Sequence, residues 1–148
     1  MRIVLDTNVL ARAVRGKKGP AGEVLRRVFA PPHLLIVSPS LLSELSRILR
    51  YRRVRALHGL DEEGMDTFVR SIRSAALLVN TALRPPRIVP DDPDDDVIIA
   101  AAIAGNADVL CTLDRHFRHS RVLSFCRQQG IDVLSDVELL AVLRQTAA

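Results

Sequence analysis

The stretch Ile3-Val4-Leu5-Asp6-Thr7-Asn8-Val9-Leu10 decides the fold. Its first three residues are apolar and predict a strand that is buried on both faces of a sheet. The strand ends at a carboxylate, and apolar residues then resume at a spacing closer to that of a helix. An acid therefore stands where a strand gives way to a helix, at the edge where open α/β sheets bind ligands. Asp6 or Asn8 would also cap the helix well, so this stretch alone leaves both interpretations open.

Composition indicates a globular, basic protein. The chain has 148 residues, enough for one domain with a sizeable core, of which 48% are hydrophobic and 26% charged. Its net charge of +4 suits a partner made of phosphates. Acids cluster in the segment 91–96, whereas arginines cluster between residues 47 and 55. This separation fits a metal ion held by acids and acting on a polyanion held by arginines.

Compartment and redox state also follow from the sequence. The longest apolar stretch, Val97 to Gly105, is too short to cross a membrane, and no signal peptide is visible, so we expect a cytoplasmic protein with no membrane partner. Cys111 and Cys126 lie among apolar residues without CxxC spacing. We interpret them as reduced core thiols rather than as a disulfide or a zinc site.

Strand and helix signals alternate along the whole chain. Further strands are predicted at 34–37, 108–113 and 131–134, with helices at 21–30, 97–104 and 122–129 and a last helix opened by the capping box Ser135-Asp136-Val137-Glu138. A helical hairpin is expected near 39–79, with a basic connection at 50–59. The alternation predicts one domain, 1–148, in the α/β class: a three-layer α/β/α sandwich around a mainly parallel sheet.

Four acids are notable for their positions in these elements. Asp6 and Asp114 each end a buried strand, Asp96 opens a buried helix, and Glu44 interrupts an apolar helical face. Because parallel strands end at one edge of the sheet, Asp6 and Asp114 should approach each other there. Clustered carboxylates repel, and a divalent cation removes the conflict. Oxygen ligands favour Mg²⁺ or Mn²⁺, which can activate water against a phosphodiester.

Each candidate also has a purely structural interpretation. Asp92, Asp94 and Asp95 suit the amino terminus of a helix, and Thr7 and Thr112 can form local hydrogen bonds. The basic run is either a solvated face or an RNA-binding surface. Its candidate RNA-binding residues are Arg47, Arg50, Arg52 and Arg53. The GxSxG, P-loop and GxGxxG motifs are absent from the sequence, which argues against a hydrolase triad or a nucleotide cradle.

Four segments together carry a resemblance to a known family. They are Leu5-Asp6-Thr7-Asn8-Val9-Leu10, Ser40-Leu41-Leu42-Ser43-Glu44-Leu45, the acidic run Asp92-Pro93-Asp94-Asp95-Asp96 leading into Ile99-Ala100-Ala101-Ala102, and Ala107-Asp108-Val109-Leu110-Cys111-Thr112-Leu113-Asp114. In this order and at these separations, the chain resembles PIN-domain ribonucleases over nearly its full length. It is most similar to the toxins of VapBC-type toxin–antitoxin modules.

The resemblance implies a fold, an activity and a site. A PIN-like domain would carry an acidic quartet that holds one or two Mg²⁺ or Mn²⁺ ions and activates water for RNA cleavage: Asp6, Glu44, Asp96 and Asp114. Supporting positions would be Thr7 and Asn8 beside Asp6, Thr112 orienting the site, and Asp95 in place of Asp96 if the helix register slips. The resemblance also implies a homodimer and a separate antitoxin protein.

Two other functions stay open from the sequence. The same fold could be a non-catalytic RNA-binding module whose acids are structural, or a nuclease acting on structured DNA. The first predicts RNA affinity that is indifferent to Mg²⁺, and the second predicts cleavage of DNA in preference to matched RNA.

Overall fold

A computed structural model describes residues 1–15, 19–81 and 95–146, except for the side chains of Arg15 and Asp95. The sequence also predicts a basic loop at 15–20 and a brief strand at 87–89. Residues 16–18 of that loop, the segment 87–89 and residues 91–94 of the acidic run lie outside the described residues. None of the helices in the described ranges is long and apolar enough to cross a membrane.

Five parallel strands form one sheet in the described part of the chain, in the order β3-β2-β1-β4-β5. They are β1 (Arg2–Leu5), β2 (Leu34–Val37), β3 (Leu77–Leu78), β4 (Val109–Cys111) and β5 (Asp132–Leu134). Residues Ile3, Val4 and Leu5 of the central strand are completely buried. The predicted parallel α/β/α sandwich is confirmed.

Helices cover both faces of this sheet. They are α1 (Thr7–Arg15), α2 (Pro20–Val28), α3 (Pro39–Leu49), α4 (Arg52–His58), α5 (Glu62–Ala75), α6 (Asp95–Ala104), α7 (Ser120–Gln128) and α8 (Asp136–Thr146), with a 3₁₀ turn at Arg115–Arg118. The hydroxyl of Ser38 accepts from the amide of Leu41 at 3.2 Å and caps α3. The predicted capping box of α8 is confirmed, since Ser135 Oγ accepts from Glu138 N at 3.1 Å and Glu138 Oε1 from Ser135 N at 2.9 Å.

The segment 39–79 contains more than a hairpin. Three helices, α3, α4 and α5, are followed by the edge strand β3, which pairs with β2. The prediction of a basic connection at 50–59 is wrong, because most of that segment is α4. The sequence gives little sign of this helix because it is short, it buries no residue, and its apolar pair at helical spacing, Val54 and Leu57, stands among basic residues.

The buried apolar residues of the strands and helices form one continuous hydrophobic core, which includes two cysteines. Cys111 of β4 and Cys126 of α7 are buried free thiols, as expected. Burial raises the pKa of both thiols, that of Cys126 to about 11, so they stay protonated and unreactive at neutral pH.

Candidate active site

The register of β1 and β4 brings two polar residues together at the carboxyl edge of the sheet. Leu5, the last residue of β1, lies opposite Cys111, the last residue of β4. The next residues are Asp6 and Thr112, and the Asp6 amide donates to the Cys111 carbonyl at 2.9 Å. Strand pairing therefore fixes Asp6 beside Thr112 at the edge where the sequence predicts a site.

Both oxygens of the Asp6 carboxylate accept hydrogen bonds from neutral groups. Oδ1 accepts from the Thr7 amide at 2.7 Å and from the Thr7 hydroxyl at 3.4 Å. Oδ2 accepts from the Thr112 hydroxyl at 2.7 Å and from Asn8 Nδ2 at 3.4 Å. Asp6 thus contacts the first amide of α1, in keeping with the capping interpretation. The same carboxylate is also tied across the sheet to β4.

Burial makes the Asp6 charge costly. The residue is 3% exposed, and its pKa is raised chiefly because burial disfavours the carboxylate form. The nearby charge of Asp114 also raises this pKa, whereas hydrogen bonds from Thr112 and Thr7 lower it. The structure therefore holds a carboxylate at the sheet edge whose charge is only partly compensated.

Asp114 stands at the start of the 3₁₀ turn and faces the same edge. Its amide donates to the Thr112 hydroxyl at 3.1 Å, so Thr112 bridges Asp6 and Asp114. The Asp114 Oδ1 atom accepts from the amide of His116 at 3.0 Å and lies 3.5 Å from His116 Nδ1. The Asp114 side chain is 29% exposed, so solvent and ligands reach it.

Two contacts anchor the turn that carries Asp114. Phe117 within it is completely buried. Arg118 Nη2 donates to Glu138 Oε1 of α8 at 2.9 Å, and its Nη1 lies 3.4 Å from the carbonyl of Val133 in β5. The position of Asp114 therefore depends on β5 and α8.

The other two predicted acids lie on helices. Asp96 is in the first turn of α6 and is 1% exposed. Because α6 connects parallel strands, it runs opposite to them, and its amino terminus lies at their carboxyl edge. Glu44 of α3 is half-buried and lines a cleft of about 420 Å³ together with Val97, the residue after Asp96. Asp95 opens α6, and its side chain lies outside the described residues.

The described side chains do not form a complete metal cage. Within residues 1–14, 19–81 and 96–146, no three acidic, histidine or cysteine groups converge closely enough to hold a metal ion. The structure shows instead Asp6 and Asp114 linked through Thr112, and Glu44 beside the amino terminus of α6.

The predicted arginines fall into different environments. Arg47 lines the cleft with Glu44 and is exposed. Arg50 faces α5, where it binds Glu62 at 2.9 Å and Asp66 at 2.7 Å. Arg52 and Arg53 are exposed on α4.

Sequence reasoning missed the contacts around Asp114. His116 reads as a surface residue in the sequence, yet its amide and ring lie against the Asp114 carboxylate. An acid two residues before a turn amide is a signal for such a contact. The Arg118–Glu138 pair has no sequence signal because its members are 20 residues apart.

The site thus consists of acids at the carboxyl edge of a parallel sheet, with Thr112 linking two neighbouring strands. Comparison of the sequence with models of known families identifies the class of domain. A family model described as PIN domain matches residues 2–116, and the chain belongs to that family. PIN domains are generally nucleases.

Among solved structures, a chain is similar in the crystal structure of VapBC2 from Rickettsia felis bound to a DNA fragment from their promoter. The likeness has a TM-score of 0.60 and 16% sequence identity and covers 91% of this chain and 98% of that chain. It extends the shared fold beyond the residues that the family model matches. Comparison with curated protein sequences finds no match.

Proposed function

We propose that this protein is a metal-dependent endoribonuclease that serves as the toxin of a toxin–antitoxin module. The observation that carries the proposal is the bridge from Asp6 through Thr112 to Asp114 at the carboxyl edge of the sheet. Membership of a family whose members are generally nucleases supports the reaction class. The fold shared with a chain of the VapBC2 crystal structure supports the biological role.

The chemistry of the donors fits a divalent cation. Asp6 is buried and its contacts come from neutral groups, so a cation would relieve the charge that burial leaves uncompensated. Carboxylate oxygens are the ligands preferred by Mg²⁺ and Mn²⁺. When bound, such an ion supplies charge neutralisation for a phosphodiester and lowers the pKa of water.

The chain's own residues have distinct roles in this proposal. Asp6, Asp114, Asp96 and Glu44 would hold the ion, and Asp95 is the alternative to Asp96. The Thr112 hydroxyl donates to the Asp6 carboxylate and accepts from the main-chain amide of Asp114, while Thr7 and Asn8 fix the rotamer of Asp6. Asp114, the more exposed of the two bridged acids, faces the incoming substrate.

A protein partner is part of the proposed role. An apolar groove of about 420 Å³ borders the site, with Asn8 and Leu113 at its end near the acids and Leu57 in its wall. Leu57 is 52% exposed, and together with Ile48 and Val54 it gives the groove a contiguous apolar wall of the kind that protein partners bind. The groove supports an antitoxin partner beside the active site. A homodimer is the proposed oligomeric state.

The test is cleavage of matched RNA and DNA oligonucleotides by wild type and Asp96→Asn, with Mg²⁺, with Mn²⁺ and with EDTA. We expect metal-dependent cleavage of RNA that falls by roughly a hundredfold or more in the variant, the scale of losing one group that stabilises transition-state charge. Thermal unfolding of both proteins controls for the fold.

Each other outcome contradicts a named part of the proposal. Equal cleavage by both proteins would remove Asp96 from the site. RNA binding without cleavage, indifferent to Mg²⁺, would make the protein a binding module. Preferential cleavage of DNA would replace the ribonuclease by a DNA nuclease.

A further inference from the structure

One face of α3 forms the wall of a polar cleft beside the acids. Ser40, Ser43, Glu44 and Arg47 recur at the spacing of a single helical face, and all four line the cleft of about 420 Å³. Val97 of α6 closes the other side, next to Asp96. The cleft therefore runs along α3 from the proposed metal ligands to a guanidinium group.

Arg47 lies in the last turn of α3 and Arg50 directly follows the helix, but their guanidinium groups differ in availability to a ligand. Arg50 binds Glu62 and Asp66 of α5 and also donates to the carbonyl and hydroxyl of Ser46 at 2.9 Å and 2.8 Å. Arg47 is exposed, and in the described part of the chain its guanidinium has neither an ion pair nor a hydrogen bond. Of these two arginines, Arg47 is the one whose donors are available to a ligand.

We propose that the α3 cleft binds the sugar-phosphate backbone of single-stranded RNA beside the scissile bond, and that Arg47 contacts a phosphate of that strand. The inference rests on the proposed function. The guanidinium fork matches two phosphate oxygens, and the exposed hydroxyls of Ser40 and Ser43 are further donors to a backbone.

Charge explains why the cleft needs this arginine. Glu44 repels a phosphate that approaches along α3, and Arg47 lies one turn further along the same face. The positive charge offsets this repulsion for the neighbouring phosphate.

The experiment measures the steady-state cleavage of a short fluorescein-labelled single-stranded RNA by wild type, Arg47→Gln, Arg47→Lys and Arg73→Gln. Arg73 is the charge-matched control. It is an exposed residue near the end of α5, just before β3 begins at the amino edge of the sheet. For Arg47→Gln we expect KM to rise about tenfold and the salt dependence of binding to weaken by about 0.7 in its logarithmic slope, as for one lost contact to single-stranded nucleic acid.

The readouts separate this role from a structural one. Arg47→Gln should unfold at the wild-type temperature, since no residue in the described ranges pairs with the Arg47 side chain, and Arg47→Lys should recover part of the affinity. Equal KM values for Arg47→Gln and Arg73→Gln would overturn the proposal, and so would a fall confined to kcat.

Failure of the proposed function is distinguishable. If wild type cleaves no RNA, the nuclease proposal fails, and fluorescence anisotropy of the same labelled RNA still tests the cleft. Weaker binding by Arg47→Gln than by Arg73→Gln would then support the cleft as an RNA-binding surface, and equal binding would refute it.

Discussion

At the scale of single residues, the site contains a buried acid whose charge is only partly compensated by its hydrogen bonds. Asp6 is 3% exposed, and its burial makes the ionised carboxylate costly in free energy. Proteins tolerate costs of this kind at functional sites. The stability of the metal-free protein should therefore reveal the cost.

We predict that Asp6→Asn raises the unfolding temperature at neutral pH in EDTA. The pKa of Asp6 is raised in the folded state, so the folded protein binds this proton more tightly than the unfolded chain does. The stabilising effect of the proton is fully present below the unfolded pKa near 3.8 and is lost as pH rises through the folded pKa. Asparagine imitates the neutral form, so the advantage of the variant should shrink in acid.

Thermal unfolding of both proteins in EDTA, at pH values from below 3.8 up to neutral, measures the effect. Saturating Mg²⁺ should reduce the difference by stabilising wild type. A variant that is less stable than wild type at every pH would show that the hydrogen bonds from Thr7 and Thr112 already compensate the charge.

The positions of the acids were predictable, but their bridge was not. Asp6 and Asp114 follow apolar runs that end abruptly, and that pattern is visible in the sequence. The contact of Thr112 with Asp6 depends on pairing Leu5 with Cys111, and no local pattern reveals which residues of two strands lie opposite each other. For the same reason, the sequence could not separate Arg47 from Arg50, whose partners come from α5.

At the scale of elements, the fit of α6 against the sheet depends on one glycine. A Cβ atom at Gly105, just after α6, would lie 2.6 Å from Ile36 Cγ2 and 2.8 Å from Ile36 Cδ1 in β2. A side chain at this position requires the Ile36 side chain, the strand or the helix to move. Asp96 lies at the other end of α6, so its position depends on the same packing of the helix against β2.

We predict that Gly105→Ala lowers the free energy of unfolding by about 1–3 kcal/mol, the usual cost of overpacking a core. Urea unfolding measures this loss. The matched control is a double-mutant cycle with Ile36→Ala, in which the cost of Gly105→Ala should largely vanish because the obstructing atoms are gone. The same cost in both backgrounds would mean that the Ile36 contact is not the cause.

Elements differ in how well the sequence predicts them. The strands β1, β2, β4 and β5 are short apolar runs, and the sequence predicts all four. The edge strand β3 has two leucines that are 38% and 40% exposed, and they continue the apolar pattern of the preceding helix, so its extended backbone is visible only in the sheet. Helix α4 buries no residue, and its single apolar pair, Val54 and Leu57, is too short a pattern to predict a helix.

At the scale of the whole molecule, the carboxyl-terminal elements complete one helical layer. Helix α8 packs on α2, and Arg144 holds Glu23 at 2.8 Å. Arg144 and Arg27 lower the pKa of the Glu23 carboxyl to about 2. Three leucines of α8, Leu139, Leu140 and Leu143, are buried in the core.

We predict that a chain truncated after Ser135 fails to fold. Each lost leucine removes about 1.5–3 kcal/mol of burial, and the three together approach the total stability of a domain, about 5–15 kcal/mol. Circular dichroism and urea unfolding measure the outcome. Glu23→Gln is the control that breaks the ion pairs but keeps the apolar contacts, and it should remain folded. A truncated chain that unfolds cooperatively would show that α8 is an accessory.

The ion pair between Arg118 and Glu138 has a consequence for how this site can pass from one protein to another. The family pattern ends at residue 116, yet the turn that presents Asp114 is held from residues beyond it. A segment that recombination moves into another protein must therefore extend beyond the residues that the family model matches if the site is to stay intact. A chimaera joined at the family boundary would inherit the acid without the scaffold that aims it.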